Sequence, residues 1–143
     1  MSIRHLRFIL FIFVIGCIVY GCSRFSGYKK TSDGLYYKFY RQNEGPHPDT
    51  SNIVQINLSY RYGDSVLFSS NILREPMNMM VNPPEFRGDL NQALMMMSPG
   101  DSASFLIRAD SFFFCTLKYN RLPKISTPDS YVTLEVGMTK MWT

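Results

Sequence analysis

From Val54 to Tyr62 the sequence alternates without a fault, with Val54, Ile56, Leu58, Tyr60 and Tyr62 set against Gln55, Asn57, Ser59 and Arg61. Side chains of an extended strand point to opposite faces in turn, so this segment has one buried and one solvated face. Such a strand needs neighbours with the same alternation, and the chain supplies them. Leu35, Tyr37 and Phe39 alternate with Tyr36, Lys38 and Tyr40, and Ala103, Phe105 and Ile107 with Ser102, Ser104 and Arg108. Near the end, Val132, Leu134, Val136 and Met138 alternate with Tyr131, Thr133 and Glu135. Val66 and Phe68 begin a short strand after the Gly63-Asp64 reversal, and Pro76 to Val81 is an extended apolar segment that stops at Pro83-Pro84.

One segment has a different period. Leu90, Ala93, Leu94 and Met97 fall at helical spacing, Asp89 stands at the N-cap, Gln92 sits where a capping box places it, and Pro99-Gly100 ends the helix. A helix of about nine residues cannot cover two sheets. The pattern therefore predicts the α+β class: a single antiparallel sheet of about five to six strands wrapped around one short helix. Cys115 to Pro128, with Pro123 and Pro128, reads as a long loop.

The chain opens with Arg4, Arg7, an apolar run from Phe8 to Tyr20, and Gly21-Cys22. That run is shorter than the ~18 apolar residues that spanning a bilayer requires. It resembles a bacterial lipoprotein signal peptide, with cleavage before Cys22 and lipid on its sulfur; an uncleaved anchor is the other reading. Tyr20 stands where such signals usually carry a small or aliphatic residue. The expected division is a signal over residues 1–21, a lipid-anchored polar tether over 22–33 and one domain over 34–143. Ser23 is not the Asp associated with inner-membrane retention, so in a bacterium with two membranes the outer one is the expected address.

Composition excludes several chemistries. Removing Arg4 and Arg7 lowers Lys plus Arg from 15 to 13 against 11 acidic residues, a formal charge of +2 instead of +4. That small, scattered excess does not form the basic footprint of a nucleic-acid binder. Cys115 is the one cysteine left in the domain, so no internal disulfide is expected; it reads as a nucleophile or, more simply, as a small hydrophobe. With only His5 and His47 present, a metal site or a histidine-assisted triad has little to build with, and no cofactor is expected.

The order of elements and the residues at their joints resemble the FKBP-type peptidyl-prolyl isomerases, especially the bacterial lipoprotein and periplasmic branch. The resemblance runs from Gly34 to Met141. It rests on Gly34-Leu35-Tyr36-Tyr37, Val54 and Ile56, Phe68-Ser69-Ser70, Pro76, Phe86-Arg87-Gly88, Ala93-Leu94 with Met97 and Gly100, Phe105 to Asp110, Leu122-Pro123, and Leu134-Glu135-Val136. It implies a pocket walled by Phe68, Phe86, Phe113 and Leu134, with Leu58 or Tyr60 at the family's pocket tyrosine and Met80 as a further wall. It also implies proline-containing polypeptides as partners. Catalysis would centre on Phe68, Ser69 and Phe113.

The departures are informative. The family's Asp after the pocket Phe is Ser69 here, its floor aromatic is Asp89 or Leu90, and its loop tyrosine is Phe113. Ser69 carries no charge and Phe113 cannot donate a hydrogen bond, so two polar anchors are lost and weak or absent isomerase activity is expected. Met77, Met79 and Met80, with Met95, Met96 and Met97, read as an adaptable client surface or as core. Three functions follow: an envelope isomerase, a degenerate binding module on the same fold, or a lipoprotein whose β fold only mimics the motif order.

Overall fold

The computed structural model describes residues 25–121 and 130–143; Cys22 and Leu122-Pro123 lie outside them. The alternating segment is strand β3 (Ile53–Tyr62), and around it lie β1 (Lys29–Lys30), β2 (Tyr36–Arg41), β4 (Ser65–Ser69), β5 (Met77–Met80), β6 (Ser102–Arg108) and β7 (Tyr131–Trp142). All pairings are antiparallel, in the order β1-β2-β6-β7-β3-β4, with β5 also on β3. β4 and β5 share one edge of β3: β5 takes Ile53 to Ile56 and β4 takes Ser59 to Tyr62.

The period-two reading places the core correctly. Val54, Ile56, Leu58, Phe105, Ile107, Val132, Leu134 and Val136 are buried, and with them Leu90, Ala93, Leu94 and Met97 of the helical segment. That helix, α2 (Leu90–Leu94), is shorter than the sequence pattern suggests, because from Met96 onward its bonds tighten to the i−3 type, Met96 N to Ala93 O and Met97 N to Leu94 O. Its cap is a displaced capping box. Asp89 Oδ1 accepts from Gln92 N at 2.8 Å, but Gln92 Oε1 reaches back to Gly88 N at 2.7 Å instead of to the cap residue.

Two features escaped the sequence. The helices α1 (Ser70–Leu73) and α3 (Ala109–Ser111), with a π-helical turn over Phe112–Thr116, occupy stretches that lack a helical apolar period. The seventh strand, β1, lies inside the segment expected to be a tether. Lys29 and Lys30 pair with Tyr37 and Tyr36, and Thr31 exchanges backbone bonds with Leu35 and Gly34 across a turn that needs φ +90° at Gly34. Ahead of β1 the chain is strapped over the outer face of the sheet. Phe25 packs on the rings of Tyr36 and Tyr131 at 4.6 and 5.0 Å, and the Tyr28 hydroxyl lies 2.7 Å from Ser104 Oγ. Among the described residues the packed chain therefore starts at Phe25, in a segment whose mixture of polar residues with Phe25 and Tyr28 shows no period.

Asp101 is 2% exposed and holds the end of the helical segment to the loop after β2. Its carboxylate accepts from Asn43 N at 2.6 Å and Ser98 N at 2.9 Å, while its backbone oxygen accepts from Met138 N. Asp101→Ala leaves two backbone donors without their acceptor and is expected to cost about 2 to 4 kcal/mol, read from the midpoint of urea unfolding.

Candidate active site

The sheet register assembles a line of aromatic rings. Tyr60 of β3 lies opposite Phe68 of β4, and a bulge leaves Leu67 as the extra residue before Arg61 meets Val66. The two rings stack at 5.4 Å and 19°. Phe112 meets Tyr60 edge-on at 5.1 Å, Phe113 follows Phe112 at 6.0 Å, and Phe113 contacts Tyr62 at 6.0 Å and stacks on Tyr119 at 5.8 Å. These distances lie in the attractive range for aromatic pairs. The π-helical turn makes this possible, since its Leu117 N to Phe112 O bond presents both phenylalanines to the sheet.

The apolar residues expected at the site divide into four groups. Phe68 and Tyr60 are partly exposed, while Phe113 and Phe112 are 1% exposed and back them. Leu58 and Leu134 are core; Leu134 lies beside Tyr60 in the β3–β7 register, so both support the rings from below. Phe86 is partly buried in a neighbouring cleft of about 400 Å³ shared with Lys30, Arg87, Arg108 and Tyr131. Met80 is not brought to this group. Its partner on β3 is Ile53, at the far end of the sheet, and it is 52% exposed; the alternation of β5 turns Met77 and Met79 inward and Met80 out.

The polar positions also sort themselves. Ser69 stands at the N-cap of α1 and makes no side-chain cap bond, whereas Ser70, not singled out by sequence, is buried and accepts from Leu58 N at 3.0 Å. Asp89, one of the two residues expected at the floor-aromatic position, is 2% exposed and serves its own loop: besides Gln92 N it accepts from Glu85 N at 3.0 Å and Asn91 Nδ2 at 3.1 Å. Leu90 beside it is an aliphatic core residue. Tyr119, six residues after Phe113, was also missed; a lone tyrosine in a segment read as loop gives no signal. Among the described residues the Tyr60 hydroxyl has no hydrogen-bond partner. Burial, and secondarily the nearby Tyr119, raise its pKa above the ordinary tyrosine value. It therefore stays a neutral phenol available to donate. Among the described residues no cluster of His, Cys, Asp and Glu that could hold a metal is found.

The fold has close counterparts among solved structures. FkpA from Escherichia coli superposes with a TM-score of 0.63 at 19% identity over 81% of this chain and 52% of that one. A peptidyl-prolyl cis-trans isomerase from Pseudomonas syringae pv. tomato gives 0.63 at 18% identity over 82% and 83%. The match thus spans about half the length of FkpA. No protein-family model and no curated protein matches the sequence. The chain has an FKBP-like α+β fold: one antiparallel sheet with few short helices.

Two outcomes follow. Alkaline difference absorbance should show a tyrosine that ionises above pH 10 and is missing from Tyr60→Phe. Because its folded-state pKa lies above the unfolded one, its contribution to stability is full below about pH 10 and is lost as pH rises through the folded value. Asp89→Ala removes a helix cap and two further acceptor contacts, and should lower stability by about 2 to 4 kcal/mol, read from a thermal or urea midpoint.

Proposed function

We propose that this protein is a lipid-anchored, FKBP-like prolyl isomerase of low activity that engages proline-containing segments of proteins folding at the bacterial envelope. The observation that carries the reading is the stacked Tyr60–Phe68 pair, partly exposed to solvent and backed by Phe112, on a fold similar to a peptidyl-prolyl isomerase. Rotating an Xaa-Pro bond crosses a barrier of ~20 kcal/mol because amide resonance is lost. The twisted amide is less dipolar than the planar one, so an apolar aromatic surface favours it without a nucleophile or proton donor. Val66, Leu67, Ile72 and Leu73 are exposed on β4 and α1 and extend an apolar margin from Phe68 for the rest of an unfolded segment.

The lipid anchor rests on Cys22 behind its short apolar run, and the outer-membrane address on Ser23 after it. A second reading has its own support. The uncharged Ser69, the fully engaged Asp89 and the non-donating Phe113 suit a binding or scaffolding module that has lost catalysis.

Exchange of an Xaa-Pro tetrapeptide, followed by NMR with the full chain in detergent, decides between them. We expect acceleration over the uncatalysed rate, its loss in Tyr60→Ala, and a gain of about tenfold in Ser69→Asp, equivalent to ~1.4 kcal/mol of barrier. Unaccelerated exchange with shifted peptide resonances establishes the binding module; the absence of both effects removes the aromatic site as a proline site.

A further inference from the structure

The strap that begins at Phe25 changes what the membrane can touch. Cys22 and Phe25 are three residues apart, a reach of at most about 11 Å. Phe25 is fixed to Tyr36 and Tyr131, so a chain anchored at Cys22 brings one end of the sheet, where β2 and β7 begin and β6 ends, to the bilayer surface. That end is amphipathic. Phe25, Tyr36 and Tyr131 form a partly exposed aromatic trio with ring separations of 4.6 to 5.7 Å. Lys30 and Arg87 stand exposed around them, with Lys30 over the Tyr36 ring at 5.1 Å, and exposed Lys29 lies at the same edge of the sheet, opposite Tyr37. Of the acids nearby, Asp110 pairs with Arg108 at 2.8 Å, whereas Asp33 accepts from the neutral amide of Gln92 and keeps its charge, which the cations of Lys29, Lys30 and Arg87 outnumber. Aromatic rings flanked by cations suit the interface of an anionic bilayer, the rings at headgroup depth and the cations over the phosphates.

We propose that this end of the domain docks on an anionic lipid surface, with Phe25 and Tyr131 at the interface and Lys29, Lys30 and Arg87 on the headgroups. The inference rests on the reading of Cys22 as the lipid-bearing residue. It fixes an orientation that a long flexible tether would leave open. Phe86 shares the cleft of Lys30, Arg87 and Tyr131, so that cleft lies at the docked end of the domain. Trp142, the single tryptophan, lies at the opposite end of β7, eleven residues from Tyr131. Along an extended strand that is about 36 Å.

The test uses the full chain extracted from bacterial membranes and reconstituted into vesicles of phosphatidylethanolamine and phosphatidylglycerol that carry a brominated phospholipid. Quenching of native Trp142 is compared with that of a Phe25→Trp, Trp142→Phe variant, and lysine acetylation of the unmodified chain is mapped by mass spectrometry. We expect several-fold stronger quenching at position 25 than at 142. Lys29 and Lys30 should be protected relative to Lys140, and that protection should disappear when phosphatidylcholine replaces phosphatidylglycerol. Equal quenching at both positions, or equal acetylation of the three lysines, overturns the docking. The mass of the peptide bearing Cys22 separates the two failures: lipid on Cys22 with equal protection ends the orientation alone, whereas bare Cys22 on a chain washed off the membrane ends the anchor reading and the docking together.

Discussion

β3 is bonded to β7 from Ile53 to Arg61 and, on its other edge, to β5 and then β4, so Val54, Ile56 and Tyr60 of its inner face have strand partners on both sides, and Ser70 Oγ takes the Leu58 N–H in the gap between β5 and β4. A slip of one residue would turn that face outward, and three bulges hold the register against it. Tyr40 is the extra residue of β2 against β6, Leu67 that of β4 against β3, and Thr139 that of β7 against β3. Thr139 shows how a bulge is secured. Its hydroxyl lies 3.1 Å from the backbone oxygen of Gln55 and 2.9 Å from Oε1 of the same residue, so the disrupted ladder keeps its hydrogen bonds while Met138 turns into the core. The aromatic site depends on the same devices. Without the extra residue at Leu67, Tyr60 and Phe68 would not face each other on the side that Phe112 covers.

The outer face of the sheet is also partly closed, which explains the strap. Ser104 and Leu106 of β6 point away from the main core yet are 0% and 6% exposed. A buried hydroxyl must be paired. Ser104 donates to Glu135 at 2.9 Å and meets the Tyr28 hydroxyl at 2.7 Å, while Tyr40 donates to the same carboxylate at 3.4 Å. Burial, partly offset by the Ser104 contact and reinforced by Glu135, raises the Tyr40 pKa and keeps the phenol protonated as a donor. The strap thus buries polar groups and supplies one of their partners, which makes residues 25–30 part of the fold.

Six of the seven strands were legible because their residues alternate in polarity or run extended and apolar between turn signals, even though β6 is buried on both faces and β4 leaves Val66 and Leu67 exposed. β1 was not, since Lys29-Lys30 buries no side chain and is held by backbone bonds and by Phe25 and Tyr28, which lie outside any period. The turns over Ser70–Leu73 and Ala109–Thr116 were missed for a related reason: both follow directly on strand ends, the first too short to show a period and the second carrying three consecutive phenylalanines that satisfy no template. Parity limited the site. Tyr60 and Leu58 share a face, so the sequence could not say which meets Phe68, whereas the register can; and Met80, one residue from Met79, falls on the wrong side of an otherwise correct strand.

The aromatic site separates binding from catalysis on energetic grounds. Each ring contact is worth about 0.5 to 1.5 kcal/mol beyond the area it buries, and a proline ring laid on Tyr60 and Phe68 gains this in its planar and twisted forms alike. Uniform binding of that kind raises affinity and leaves the barrier where it was. A rate gain requires groups that favour the twisted amide, chiefly a dry floor and donors fixed on the carbonyls beside it. Here Asp89 spends its carboxylate on Glu85, Asn91 and Gln92, Ser69 brings no charge, and the neutral phenol of Tyr60 is the donor beside Phe68, with the hydroxyls of Tyr62 and Tyr119 further along the rings. On the proposed reading, stacked rings would keep affinity for proline while the phenol of Tyr60 would carry the discrimination between planar and twisted amides, so a loss of catalytic power would not take recognition of proline with it.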